Sequence, residues 1–159
     1  MHVFGPTTPA AFTLWAGIGP RAALAAFDAL GTSLTPVHTP TGDGGILTSD
    51  EPMVRAPARP TAAARLLPSG DTYFLLQGAD RELVVPDADR RTSLWTPRVW
   101  PGAVLLGGEI IGTWRRAERA ITISPWRRLT REERDVLGTE AESLPLPALQ
   151  GQILVHWDE

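Results

Sequence analysis

The chain has 159 residues, room for one ordinary domain or two small ones, and 43% of them are hydrophobic, enough to build a core. It contains no cysteine, which excludes disulfides and thiolate chemistry, and its three histidines, at positions 2, 38 and 156, are too scattered to hold a metal. The formal net charge of -3 argues against a strong overall attraction to nucleic acid, and no apolar run approaches the roughly 20 residues that span a bilayer.

All fifteen basic residues are arginine, and lysine and asparagine are both absent. That bias reads as the codon usage of a GC-rich genome, so the placement of the arginines carries more meaning than their number. The N-terminus lacks a basic segment followed by an apolar one, which leads us to expect a cytoplasmic protein with no membrane partner. No metal and no cofactor are expected.

In chain order, Thr8 caps a helix that starts at Pro9, where the missing amide hydrogen is tolerated, and runs to about Ala16. Gly17 and Gly19 frame a turn, and Pro20 opens a second helix with Leu24, Phe27 and Leu30 on one face and Gly31 as its stop. Helix, short turn, helix predicts a helix-turn-helix. Strands over 33–37 and 46–48, with a glycine-rich tip at 41–45, would be its wing. Residues 1–50 therefore read as a winged-helix module, 51–64 as a Pro/Ala-rich linker, and 65–159 as a β-rich module.

In that second module the residues after Arg65 predict a strand over 73–76, followed by a charged connection over 80–95 that carries the apolar residues 83–85. Gly107-Gly108 sits between the apolar runs 104–106 and 110–111 and can take the positive φ angles of a tight hairpin. After a bend within 114–119, Ile121 and Ile123 alternate with Thr122 and Ser124, which makes a three-stranded meander. Residues 129–137 predict a helix, with Thr130 as cap and Glu133 at the capping-box spacing, and residues 153–157 a last strand. The expected fold class is α+β: a partial winged helix followed by a small β-rich module with a helix.

The chemistry-bearing residues are mostly basic. The solvent face of the second helix is Arg21, Ala22, Ala25, Asp28 and Ala29, of which only Arg21 can donate to guanine. Arg115, Arg116, Arg119, Arg127, Arg128, Arg131 and Arg134 fall close together, interleaved with Trp114 and Trp126, and are the candidate phosphate contacts. Glu118, Glu132, Glu133 and Asp135 neutralise part of that charge. His38 and His156 have no nucleophile elbow nearby, the Gly42-Asp43-Gly44-Gly45 run lacks the lysine of a phosphate loop, and Asp71, Asp87 and Asp89 read as solvated loop carboxylates.

The hairpin ending in GTWRR, preceded by Arg65-Leu66-Leu67-Pro68 with Asp71 and Tyr73 shortly after, resembles the C-terminal part of winged-helix DNA-binding proteins of the AlkZ-like DNA glycosylase family. FGPTTPAAFTLWAGI, residues 4–18, with the helical run to Leu30, looks like that family's winged-helix segment. The resemblance covers most of 4–144 and implies double-stranded DNA as partner and a link to DNA repair. The family's catalytic motif, glutamine, a hydrophobic residue, then glutamine or aspartate, belongs to an N-terminal region not found in this sequence. Gln150-Gly151-Gln152 has a glycine at its centre and lies near the C-terminus, so it reads as coincidence. The expectation is therefore a nonenzymatic DNA-binding protein or accessory, a shortened relative of the family. The alternatives are an interaction module whose first helices are covered by a second copy or a partner chain, or a glycosylase component completed by another chain.

Overall fold

A computed structural model describes residues 5–39, 42–57, 64–75, 81–145 and 151–158. The fold is mixed α+β, and the chain divides into two units, Met1–Arg59 and Pro60–Glu159. Among the described residues it forms two sheets and seven α-helices.

In the first unit, helix α1 (Pro9–Ala16) starts as the sequence predicts, because the Thr8 hydroxyl accepts the Ala11 amide hydrogen at 3.1 Å. Gly17 at φ 63 ends it, and α2 (Pro20–Leu30) follows. The two helices meet through Phe12, whose ring lies 5.7 Å from Trp15 and 6.1 Å from Phe27. Strands β1 (Leu34–Thr39) and β2 (Gly42–Leu47) pair antiparallel from Leu34 opposite Leu47 to Thr39 opposite Gly42. Residues 42–45, expected in the tip, are instead strand. Gly45 exchanges two backbone hydrogen bonds with Thr7, of 3.0 and 2.8 Å, which hold it in the strand. Positions 40 and 41 lie outside the described residues. A short helix α3 (Glu51–Arg55), braced by an Arg55 to Glu51 bond of 2.7 Å, occupies part of the segment expected to be linker.

The second unit runs β3 (Arg65–Leu67), α4 (Thr72–Leu75), α5 (Arg81–Val84), α6 (Ala88–Leu94), β4 (Gly102–Leu106), β5 (Glu109–Ala117), β6 (Ala120–Pro125), α7 (Arg131–Glu142) and β7 (Leu154–Trp157). Its sheet has the order β3-β4-β5-β6-β7, antiparallel except for the parallel β6/β7 pair. The predicted hairpin turn is present: Leu106 pairs with Glu109, and Gly107 and Gly108 between them take φ 61 and 89. Ile110 and Ile111 enter opposite layers, as successive strand residues do, and the pairing with β4 shifts register between Val104 and Leu105.

The sheet is covered on both faces. On one, Leu66, Val104, Ile111, Ile121 and Ile123 bury against Leu129 and against Leu137 and Ala141 of α7. On the other, Ala103 and Ile110 meet Phe74 of α4, Leu94 of α6 and Val85 just past α5. Each such large aliphatic or aromatic side chain contributes about 1.5–3 kcal/mol. The strand predicted over 73–76 is a helical turn where described, because Asp71 accepts the Tyr73 amide hydrogen at 2.8 Å and starts α4. The connection predicted over 80–95 holds α5 and α6, the latter capped by Asp87, which accepts from the Asp89 amide at 2.9 Å. Residues 76–80 lie outside the description.

Candidate nucleic-acid interface

Between the end of β6 and the first turns of α7 the chain wraps around a cleft of about 740 Å³, lined by Trp126, Arg127, Arg128, Arg131, Arg134 and the carboxylate-bearing Asp158. The local sequence explains this arrangement. Leu129 is buried in the core and anchors the turn, leaving Arg127 and Arg128 outside. Thr130 then caps α7: its hydroxyl accepts the Glu133 amide hydrogen at 3.2 Å, and Glu133 accepts the Thr130 amide hydrogen at 2.8 Å. Once α7 is started there, Arg131 and Arg134 stand three residues apart, neighbours on the helix surface.

The arginines of the cleft are not equivalent. Arg127 donates twice to Glu133, Nη1 to Oε2 at 2.9 Å and Nη2 to Oε1 at 2.7 Å, so most of its charge is answered within the protein. The Arg127 guanidinium, followed by the Thr130 amide, holds the Glu133 carboxyl down to about 2 from its ordinary 4.5. The same hydrogen bond raises Arg127 above its usual value. Arg134 lies over the Trp157 ring at 5.2 Å. Arg128 and Arg131 are exposed.

Of the other residues singled out in the sequence, Arg115, Arg116 and Arg119 do not line this cleft. Successive residues of β5 face opposite sides, so Arg115 and Arg116 are separated by the sheet. Arg115 donates to the Val99 carbonyl at 3.2 Å, whereas Arg116 stands opposite Ile121 on the face that α7 covers. Arg119 is in the turn after β5, its guanidinium against Gly151 and its carbonyl accepting the Leu154 amide hydrogen at 2.9 Å. Arg21 is exposed on α2 of the first unit. Trp114 packs into the core and donates to the Leu67 carbonyl at 2.8 Å, so it is not a stacking surface.

Trp126 is half-buried and also lines a second cavity, of about 400 Å³, together with Tyr73, Leu83, Asp87, Arg90 and Glu109. Arg90 sits 5.9 Å from the Trp126 ring and 3.2 Å from Asp87. Arg90, Trp157 and Asp158 were not singled out as site residues in the sequence, because each reaches the site from a distant segment. The apolar character of 153–157, which predicts a last strand, is the one sequence signal for Trp157.

The second unit thus combines a doubly covered sheet with an arginine-lined cleft, in a chain of mixed α+β architecture. Residues 1–145 match the family model described as DNA glycosylase AlkZ-like, and the chain belongs to that family. Its structure is similar to that of the Streptomyces sahachiroi DNA glycosylase AlkZ, with a TM-score of 0.71 and 21% identity over 97% of this chain and 42% of that one. The chain therefore spans less than half the length of that solved relative. Comparison with curated proteins gives no match. The family match over residues 1–145 overturns the expectation of a non-enzyme, which rested on a short motif not found in the sequence. Among the described residues no helix is long and apolar enough to cross a membrane.

Proposed function

We propose that this chain takes part in base excision from double-stranded DNA, and that the arginine cleft of the second unit holds the phosphate backbone of one strand. The observation that carries the reading is the convergence of Arg128, Arg131 and Arg134 on one cleft in a member of a glycosylase family. A backbone phosphate placed there meets charge-assisted donors and the positive end of α7. Arg127, tied to Glu133, keeps the turn in shape and is the weaker phosphate contact.

In such excision the oxygen of a water molecule bonds to the sugar C1′ while the C1′–N bond breaks, its electron pair leaving with the base. A proton is lost from the water; a neutral base gains one as it leaves, whereas a base made cationic by ring-nitrogen alkylation leaves neutral without it. Positive charge develops on the sugar as the bond stretches. The residues of this cleft contribute by fixing the strand, so that the reacting sugar is presented in one orientation.

Helices α1 and α2 with strands β1 and β2 we read as a helix-turn-helix with its wing, a reading supported by their order and by the short glycine turn between the helices. Arg21, Arg115, Arg116 and Arg119 are outlying candidate contacts to DNA. A second reading adds a partner: no residue of α1 is buried, and Leu14 and Trp15 are 76% and 46% exposed, which favours a second copy or a partner chain over that face.

The test is release of an alkylated base from a labelled duplex, detected as strand breaks after hot alkali. Breaks above the protein-free control, reduced ~10-fold or more by the triple change Arg128→Ala, Arg131→Ala and Arg134→Ala, are expected. Background-level breakage by a protein that binds the same duplex would overturn the excision reading.

A further inference from the structure

We propose that the Asp158 carboxylate is an internal competitor for DNA: held in the arginine cleft by Ser124, it occupies ground that a backbone phosphate takes, and duplex binding displaces it. This rests on the backbone-holding reading above and adds an autoinhibitory contact to it.

The contact is delivered by β7, which lies outside residues 1–145, the part matched to the family model. β7 runs parallel to β6, with Trp157 opposite Ile123, so the next residue, Asp158, enters the cleft lined by Arg127, Arg128, Arg131 and Arg134. Val155 and Trp157 pack against the core beneath α7 and keep the strand docked. Two bonds then fix Asp158. Its amide donates to the Ile123 carbonyl at 2.9 Å, and its Oδ2 accepts the Ser124 hydroxyl hydrogen at 2.7 Å.

A carboxylate shares with phosphate the charge and the acceptor oxygens that guanidiniums bind, so it answers part of the positive charge of the cleft and repels a phosphate that approaches. It is also poised to leave. Asp158 is exposed and its bond to Ser124 lies at the surface, where water replaces the partners that each group loses. Because the carboxylate is tethered beside the arginines, its effective concentration there is high, and a lone small anion competes poorly with it. A duplex engages Arg128, Arg131 and Arg134 together and prevails. The apparent affinity is then the intrinsic affinity multiplied by the fraction of molecules whose cleft is open.

The experiment is a double-mutant cycle on binding of a labelled duplex, read by anisotropy at physiological salt. Asp158→Asn is expected to bind about fivefold tighter than wild type, which corresponds to a cleft closed in about four molecules of five. Ser124→Ala changes no charge; by releasing the carboxylate it should tighten binding about twofold, and it should have no effect once Asp158→Asn is present. Glu142→Gln, exposed at the far end of α7, removes an equal charge away from the cleft and controls for general electrostatics. A gain from Asp158→Asn no larger than that from Glu142→Gln overturns this proposal while leaving the cleft reading in place. So does a Ser124→Ala effect that is zero, or that is the same in both backgrounds. Failure of both wild type and Asp158→Asn to bind at low salt removes the cleft reading and this proposal with it.

Discussion

Arg127 and Glu133 face one another across the first turn of α7 in a two-pronged ion pair, with N to O distances of 2.9 and 2.7 Å. The same carboxylate accepts the Thr130 amide hydrogen, so one side chain closes the helix cap and fixes the arginine that precedes it. The pair lowers the free charge of the cleft by one arginine and in return orders the segment that carries Arg128 and Arg131. A negative group at this end of the helix is also favoured by the helix dipole.

That pair makes stability depend on acid. The folded Glu133 titrates at about 2 against an ordinary 4.5, so its contribution is fully present above about 4.5 and is lost as pH falls from there to about 2. Glu133→Gln is expected to lower the thermal midpoint near neutral pH and to flatten the fall seen between those values. Circular dichroism melts of both proteins across that range check it. Parallel curves for the two would show that the pair does not couple to folding.

Among the glycines of the sheet, Gly102 has its neighbours closest to where a Cβ would stand. A Cβ there would collide with the Trp114 indole nitrogen and stand 2.5 Å from the Leu67 carbonyl, the two atoms that hydrogen-bond one another at 2.8 Å. Gly102→Ala should cost about 1–3 kcal/mol, read from urea unfolding. A cost near zero would mean that the β3/β4 edge yields freely.

The apolar face of α1 predicts an assembly state. If a second copy covers Leu14 and Trp15, light scattering gives a mass above the monomer, and Leu14→Glu returns it to the monomer. A monomeric wild-type chain would leave a different partner chain as the occupant to seek.

Thr130→Ala removes the acceptor that caps α7 and should cost about 1 kcal/mol. It should also weaken duplex binding, because Arg131 and Arg134 are placed by the helix that Thr130 starts. Unfolding and anisotropy on the same variant separate the two effects.

The elements that were legible in the sequence are those fixed by local chemistry. Thr8 with Pro9, Thr130 with Glu133, and Gly107-Gly108 each specify a cap or turn through atoms a few residues apart, and the structure holds all three. Misread segments were decided at longer range or by weaker signals. Residues 73–75 are apolar in a way that suits strand or helix, and the Asp71 carboxylate settled the choice. Arg115 and Arg116 looked like one basic patch because they are adjacent, yet adjacency in a strand sends them to opposite faces. The partnership of Trp126 with Arg90, and of Arg134 with Trp157, joins segments that only the folded sheet brings together.

The central claim, that the arginine cleft grips a DNA backbone, is tested most directly by the salt dependence of duplex binding. Fluorescence anisotropy of a labelled duplex, titrated from low to physiological salt, is compared between the wild-type chain and the triple variant Arg128→Ala, Arg131→Ala, Arg134→Ala. The account predicts binding that weakens steeply with salt in the wild type, and a slope of log affinity against log salt reduced by about 2–3 in the variant. Wild-type binding that is absent at low salt, or a slope the same in both proteins, would contradict it.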